Sequence, residues 1–279
     1  MGVLSTAGAP RGFDLQAHRG GAGLWPENSL LAFERALALG VTTLECDVHV
    51  SRDGVPVLSH ERTYAGHVIP RLTWAELDGL RSCGPQPLAT LRQLVDLVHE
   101  RGAEVGLNVE TKFDVIHPDE TAPRERFVEA VLGVLTAADD VARTSVQSFD
   151  WAVLRLVQDA EPALRLNALT TTARLEVDQP GASPWLAGID IDDFDDRVAL
   201  AAASLGFDAL SPSRSSLTPD LVEEAHALGL RVLPYTVDDP ATMRLLVALG
   251  VDGLITNRPD VLREVMAEAG LELPARWPG

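Results

Sequence analysis

Apolar residues follow two alternating patterns along this chain. Short runs rich in β-branched residues, typical of buried strands, are separated by segments whose apolar residues recur every three to four positions, typical of amphipathic helices. Several helical segments begin with capping chemistry, such as Asn28 before Ser29 and Asp239 before Pro240. The predicted strands are 13–18, 41–50, 104–110, 143–149, 164–170, 207–211, 230–235 and 252–256, and the predicted helices are 29–39, 90–101, 123–138, 151–159, 196–205, 218–228, 240–249 and 259–269.

Eight strands in strict alternation with eight helices indicate parallel βαβ units, an α/β fold class in which eight units close into a (β/α)8 TIM barrel. The alternative is a doubly wound open sheet, but the first strand is not followed by G-x-G-x-x-G. The length of 279 residues suits one barrel, so we expect a single domain over 1–279. Residues 55–58 predict a short added strand, and 61–88 predict an insertion after the second barrel strand.

The charge balance restricts the class of ligand. With 41 Asp+Glu against 23 Lys+Arg, the net charge of −18 argues against nucleic acid and against anionic membrane surfaces. An anionic substrate would therefore need a local positive centre. We find no apolar run of about 18 residues that would span a membrane and no signal-peptide pattern at the start, so we expect a cytoplasmic protein without stable membrane insertion. Oligomeric state is left open.

Acidic side chains are concentrated near the ends of the second and third predicted strands. Glu45 and Asp47 are two positions apart and project to the same face of their strand, and Glu110 and Lys112 are related in the same way. Carboxylates crowded into a barrel mouth repel each other, and a hard divalent cation, Mg²⁺ or Ca²⁺, relieves the repulsion. The alternative is that Glu45 and Asp47 point outward as solvated charges. His49, further along the strand, is expected at the rim.

Two histidines are predicted to meet at the same mouth. His18 and Arg19 end the first strand, and the turn at 51–54 returns the chain so that His60 comes back across from His18. Paired imidazoles can divide the proton transfers of a phosphodiester cleavage, and the planar fork of Arg19 suits a phosphate. Gln147 and Tyr235 end the fourth and seventh strands and are further candidates for substrate contact.

The run HRGGAGLWPENSLLAFERALALGVTTLECDVHVSRDGVPVLSHE resembles the opening signature of the glycerophosphodiester phosphodiesterase family. The signature consists of His-Arg-Gly, Pro-Glu-Asn-Thr, Glu-x-Asp-Val, a Thr/Ser-x-Asp-Gly turn and His-Asp. The resemblance continues in order through the segments at 110–112, 147–150, 235–238 and 252–259. Ser29 replaces the usual Thr, Glu61 replaces the usual Asp, and Tyr235 stands where Trp is frequent.

The resemblance implies a TIM-barrel hydrolase that converts glycerophosphodiesters, as small-molecule substrates, to glycerol 3-phosphate and an alcohol with one divalent cation. The nucleophile is either water or the substrate's own 2-hydroxyl. Two rivals are a phospholipase D-like enzyme acting on lysolipids or sphingolipids, and a non-catalytic barrel that binds phosphate ligands. The implied roles are metal ligation by Glu45, Asp47 and Glu110, acid–base catalysis by His18 and His60, phosphate binding by Arg19 and Lys112, and support of the first loop by Glu27.

Overall fold

The computed structural model describes residues 12–84, 86–179 and 181–277, and the predicted alternation of strands and helices runs through them. The strands are β1 Asp14–Ala17, β2 Thr43–Val50, β3 Pro56–Leu58, β4 Thr63–Tyr64, β5 His67–Val68, β6 Ala89–Thr90, β7 Gly106–Thr111, β8 Thr144–Ser148, β9 Arg165–Thr170, β10 Ala209–Pro212, β11 Arg231–Val232 and β12 Gly253–Thr256. The helices are α1 Leu30–Leu39, α2 Trp74–Gly79, α3 Leu91–Glu100, α4 Arg124–Ala137, α5 Trp151–Ala160, α6 Thr172–Leu175, α7 Val198–Ser204, α8 Pro219–Ala227, α9 Pro240–Leu249 and α10 Pro259–Glu268.

Eight of these strands form a parallel sheet in the order β11-β10-β9-β8-β7-β2-β1-β12. Its two ends are joined by backbone hydrogen bonds, from the amide of Asp252 to the carbonyl of Val232 at 3.0 Å and from Ile255 to Pro234 at 3.1 Å. The sheet therefore closes on itself, and the predicted (β/α)8 barrel is confirmed. The strand predicted at 230–235 is only Arg231–Val232, since Pro234 has no amide to donate to the ladder.

Side-chain hydrogen bonds at the starts of α1 and α9 show which residues cap these helices. The side chain of Asp239 accepts from the amide of Thr242 at 2.8 Å and caps α9, as predicted. The predicted cap at Asn28 is wrong, because Ser29 caps α1 by accepting from the amide of Ala32 at 3.1 Å. The side chain of Asn28 instead turns into the barrel.

Strand β2 separates the apolar core from a polar barrel interior. Cys46 and Val48 are fully buried in the core between the sheet and the helices, so the alternate residues Glu45 and Asp47 point inward. The alternative of outward, solvated carboxylates is thereby excluded. Towards the amino ends of the strands, buried amide and hydroxyl side chains form a hydrogen-bond network around Asn108. Asn108 donates to Gln16 at 2.8 Å and to Gln147 at 2.9 Å, and it accepts from Ser145 and Asn167.

The insertion after the second barrel strand has its own small core. Strand β3 pairs antiparallel with β2 and β6, and β4 and β5 form a two-stranded hairpin. The buried side chains beneath them are Val57, Tyr64, Ile69 and Leu77. No helix within the described part of the chain has the length and apolar character needed to cross a membrane.

Candidate active site

The first βα loop turns sharply over the barrel mouth. Arg19 and Gly20 both have positive φ, of 53° and 81°, and a Cβ on Gly20 would lie 2.8 Å from the Cβ of Ala32. Glycine is therefore required at that position, because any other side chain would collide with α1. The turn directs the backbone amide of Arg19 at Glu45 Oε2, 2.8 Å away.

Three carboxylates meet at the carboxyl ends of β2 and β7. Glu45 and Asp47 are fully buried, Glu110 is 5% exposed, and one oxygen from each lies within 4.8 Å of the others. They converge because residues two apart on a strand share a face and because Asp47 is in register with Glu110 on the neighbouring strand. A set of three carboxylate oxygens fits a hard divalent cation.

Two cations lie against the carboxylates. Lys112 Nζ is 3.1 Å from Asp47 Oδ1 and 2.7 Å from Glu110 Oε1, and Arg19 Nε is 3.0 Å from Asp47 Oδ2. Burial alone would raise the pKa of Asp47, but Lys112 and Arg19 hold it well below its usual range. Burial, reinforced by the neighbouring carboxylates, raises the pKa of Glu45 well above its ordinary value. The site therefore favours added positive charge beside Glu45.

Buried amides orient two of the carboxylates. Asn28 donates from Nδ2 to Asp47 Oδ2 at 2.9 Å and accepts the Asp47 backbone amide at 3.1 Å. Gln147, a predicted substrate contact, is 1% exposed and donates to Glu45 Oε1 at 2.9 Å. Asn28 was missed as a site residue because an Asn at a helix start matches the pattern of a cap.

Hydrogen bonds fix the tautomer of His18. Asn257 donates from Nδ2 to the Asp238 carboxylate at 2.8 Å, so its Oδ1 faces His18 Nδ1 at 2.7 Å and can only accept. The proton is therefore on Nδ1, and Nε2, which lies 4.0 Å from Glu45 Oε2, carries the lone pair. Burial and the charge of Arg19 lower the pKa of His18 to about 4.

The second predicted histidine lies on the loop that follows β3. His60 Nδ1 is 2.8 Å from Glu61 Oε1, so the longer Glu in place of the usual Asp does reach the ring. Burial and the charge of Lys112 lower the pKa of His60. His49, predicted at the rim, is 3% exposed and lies beneath this loop, with Nε2 3.4 Å from the His60 carbonyl.

A cavity of about 600 Å³ opens beside these groups at the carboxyl ends of the strands. His60, Lys112, Phe149, Arg174 and Trp185 are among the residues that line it. Of the predicted site residues, only His60, Glu110 and Lys112 belong to its lining. The others lie outside it, namely His18, Arg19, Glu27, Glu45, Asp47, Gln147 and Tyr235. Tyr235 donates to the Thr170 carbonyl at 3.0 Å, and its ring is nearly perpendicular to that of Phe149, with 5.8 Å between the centroids. Glu27 accepts from Arg19 Nη1 at 2.7 Å.

Residues 18–261 match the model of the glycerophosphoryl diester phosphodiesterase family. The chain belongs to this family. Among its relatives, the glycerophosphodiester phosphodiesterase of Caldanaerobacter subterraneus subsp. tengcongensis is 25% identical over 91% of this chain and 98% of its own. The enzyme of the same name from Bacillus altitudinis is 26% identical over 88% and 94%. As a member of the family, this chain is a phosphoric diester hydrolase that acts on glycerophosphodiesters.

Solved structures of related phosphodiesterases share the fold. A crystal structure from Silicibacter pomeroyi DSS-3, assigned as a glycerophosphoryl diester phosphodiesterase, superposes with a TM-score of 0.77 at 31% identity, covering 95% of this chain and 97% of that one. A phosphodiesterase from Oleispira antarctica, solved with the product sn-glycerol-3-phosphate, gives a TM-score of 0.69 at 23% identity, covering 90% and 96%.

Proposed function

We propose that this chain releases sn-glycerol 3-phosphate and a small, water-soluble alcohol from glycerophosphodiesters at a divalent-metal site. The observation that carries the proposal is the convergence of three buried carboxylates, within 4.8 Å of one another, beside His18 and a cavity that His60 lines. The product held by the Oleispira antarctica phosphodiesterase supports sn-glycerol 3-phosphate as the product here. We also propose that residues 1–279 act as one catalytic domain.

The metal ligands in this proposal are Glu45, Asp47 and Glu110, which present oxygen donors of the kind that Mg²⁺ and Ca²⁺ prefer. A bound cation would stabilise negative charge on the phosphoryl oxygens. Asn28 and Gln147 hold Asp47 and Glu45 in place from below, as amide partners of ligating carboxylates do.

The proposed acid–base pair is His18 and His60. Asn257 orients His18 and leaves Nε2 able to exchange a proton, and Glu61 accepts from His60 Nδ1 in the same manner. One imidazole takes the proton of the nucleophile and the other delivers a proton to the departing alkoxide. The pair thereby avoids a free alkoxide leaving group.

Phosphate binding is assigned to Arg19 and Lys112. Both are more than four-fifths buried at their side chains and lie against Asp47, so they present positive charge inside a protein of net charge −18. Glu27 holds Arg19 from the solvent side through the bond to Nη1. A bound divalent cation, added to Arg19 and Lys112, would outweigh the charge of the three carboxylates and would give the local positive centre that the acidic composition requires.

The shape of the insertion supports a water-soluble substrate over a lysolipid. Large apolar side chains exposed in the described residues are Leu24, Leu31, Ile116, Leu245 and Leu273, and none of them lies in the insertion. Lysolipid hydrolysis would require an apolar surface to accept the acyl chain. The cavity instead carries ionic side chains along much of its lining.

The test measures choline release from glycerophosphocholine and from lysophosphatidylcholine by the purified protein with Mg²⁺ or Ca²⁺, and glycerol 3-phosphate release from the first substrate. We expect turnover of the first substrate and a drop of at least about 10² in kcat for His18→Ala and for His60→Ala. His226→Ala, on the far-removed helix α8, is the matched control and should keep its rate. Near-normal kcat in both site variants would refute the assigned roles, and preference for the lysolipid would favour the rival enzyme.

A further inference from the structure

Arg174 is a cation of the cavity wall whose side chain is held by two aromatic rings. Its guanidinium carbon lies 3.8 Å from the ring centroid of Phe149 and 4.5 Å from that of Trp185. Trp185 is anchored in turn, since its carbonyl accepts the Trp151 amide at 2.8 Å and its own amide bonds Ser183 Oγ at 3.2 Å. Aromatic contacts on both rings fix the position of a side chain that is otherwise flexible.

The guanidinium of Arg174 has no anionic partner. Across residues 12–84, 86–179 and 181–277, no side-chain or backbone acceptor forms a hydrogen bond with it and no carboxylate lies within 4.0 Å. The carboxylates that act on it through space are Glu110 and Asp114. Both are already engaged, Glu110 with Lys112 at 2.7 Å and Asp114 with Arg62 at 3.3 Å.

The other two cations of the cavity lining each have carboxylate partners. Arg62 is bonded to Asp114 and also to Glu120 at 2.6 Å, and Lys112 bridges two carboxylates of the metal cluster. Among the lining cations within the described residues, Arg174 is therefore the one without a carboxylate partner, and its N–H donors are open to a ligand. A half-buried, pre-positioned guanidinium fork is matched by a carboxylate or a phosphate, which accept two parallel hydrogen bonds.

We infer that Arg174 is a specificity-determining residue that binds an oxyanion carried by the leaving alcohol of the substrate. The inference rests on the proposed function, in which Arg19 and Lys112 already take the scissile phosphate and the glycerol moiety is uncharged. The remaining part of a glycerophosphodiester is the alcohol, and a cavity of about 600 Å³ is of the size that encloses a small molecule. The group that Arg174 binds in this inference is an oxyanion, which either a carboxylate or a phosphate monoester supplies.

Two matched pairs of substrates distinguish binding of a carboxylate from binding of a phosphate monoester. Glycerophosphoserine differs from glycerophosphoethanolamine by one carboxylate, and glycerophosphoglycerol phosphate differs from glycerophosphoglycerol by one terminal phosphate. We expect wild-type kcat/KM to favour the anionic member of at least one pair by about 10- to 100-fold, the usual effect of one charged hydrogen-bonded contact. Arg174→Met should abolish that ratio, and Arg174→Lys, which keeps the charge without the planar fork, should give an intermediate one.

Arg155→Met is the matched control, since it removes an exposed Arg from the outer face of α5 and should leave both ratios unchanged. Equal kcat/KM within both pairs for the wild type would overturn the inference. An equal loss on all four substrates in Arg174→Met would overturn it too, because Arg174 would then act on the scissile phosphate or on folding.

Dissociation constants for the same pairs, measured by calorimetry in the His18→Ala background with Mg²⁺, give a readout that does not depend on turnover. If the wild type turns over none of these substrates but the anionic members still bind more tightly, the proposed function is contradicted and the role of Arg174 is supported. Turnover without any binding preference would contradict the role of Arg174 alone.

Discussion

Replacing Asn28 by Ala tests whether the amide beneath Asp47 positions this carboxylate in the proposed metal site. The substitution removes one charge-assisted hydrogen bond to Asp47 Oδ2 and leaves the buried Asp47 amide without its acceptor. It also places Ala at a φ of 54°, a left-handed backbone conformation that Asn tolerates better. These terms lower the free energy of unfolding by about 3–5 kcal/mol.

The assay combines urea unfolding with calorimetric titration of Mg²⁺. We expect the affinity for Mg²⁺ to fall about 10- to 100-fold in Asn28→Ala, the usual cost of losing a partner of a ligating carboxylate. Asn28→Gly separates the backbone contribution, because it relieves the left-handed strain but not the lost hydrogen bonds. Its stability should exceed that of the Ala variant by about 1 kcal/mol.

Ser29→Ala is the neighbouring control. It removes the cap of α1, which contributes about 1 kcal/mol, and an exposed hydrogen bond from Ser29 Oγ to the Pro26 carbonyl at 2.6 Å, and it should leave the affinity for Mg²⁺ unchanged. The reasoning would be refuted if Asn28→Ala lost no more stability than Ser29→Ala and bound Mg²⁺ within about two-fold of the wild type.

Three further predictions concern the metal, the proton path and the insertion. Exhaustive chelation should abolish glycerol 3-phosphate release and added Mg²⁺ or Ca²⁺ should restore it, whereas full activity after chelation would remove the metal from the proposal. Asn257→Ala should lower kcat about ten-fold or more with little change in KM, because His18 loses the acceptor that fixes its tautomer, and an unchanged kcat would contradict that role. Leu77→Ala, in the small core of the insertion, should hasten proteolysis within 61–88 more than elsewhere, and cleavage spread evenly along the chain would contradict a separate core.

The parts of the fold and site that local patterns specify could be predicted from the sequence. The alternation of strand and helix periods predicts the barrel, and the two-residue period of β2 predicts that Glu45 and Asp47 share a face. Contacts between distant segments could not be predicted this way. Asn257 meets His18 across 239 positions, and Arg174 reaches the cavity from a short helix that no apolar period marks.

Closure of the barrel also has a consequence for the order in which the chain acquires function. The carboxylates and Lys112 all lie within the first 112 residues, so that part of the centre is synthesised early. Asn257, the hydrogen-bond partner of His18, follows directly after β12. Strand β12 closes the barrel by pairing with β1 and with the segment after β11. A nascent or truncated chain that lacks this last unit would carry the proposed metal ligands without the residue that aligns His18, the proposed proton carrier. In the proposed mechanism, hydrolysis would thus require the last βα unit even though that unit supplies none of the proposed metal ligands.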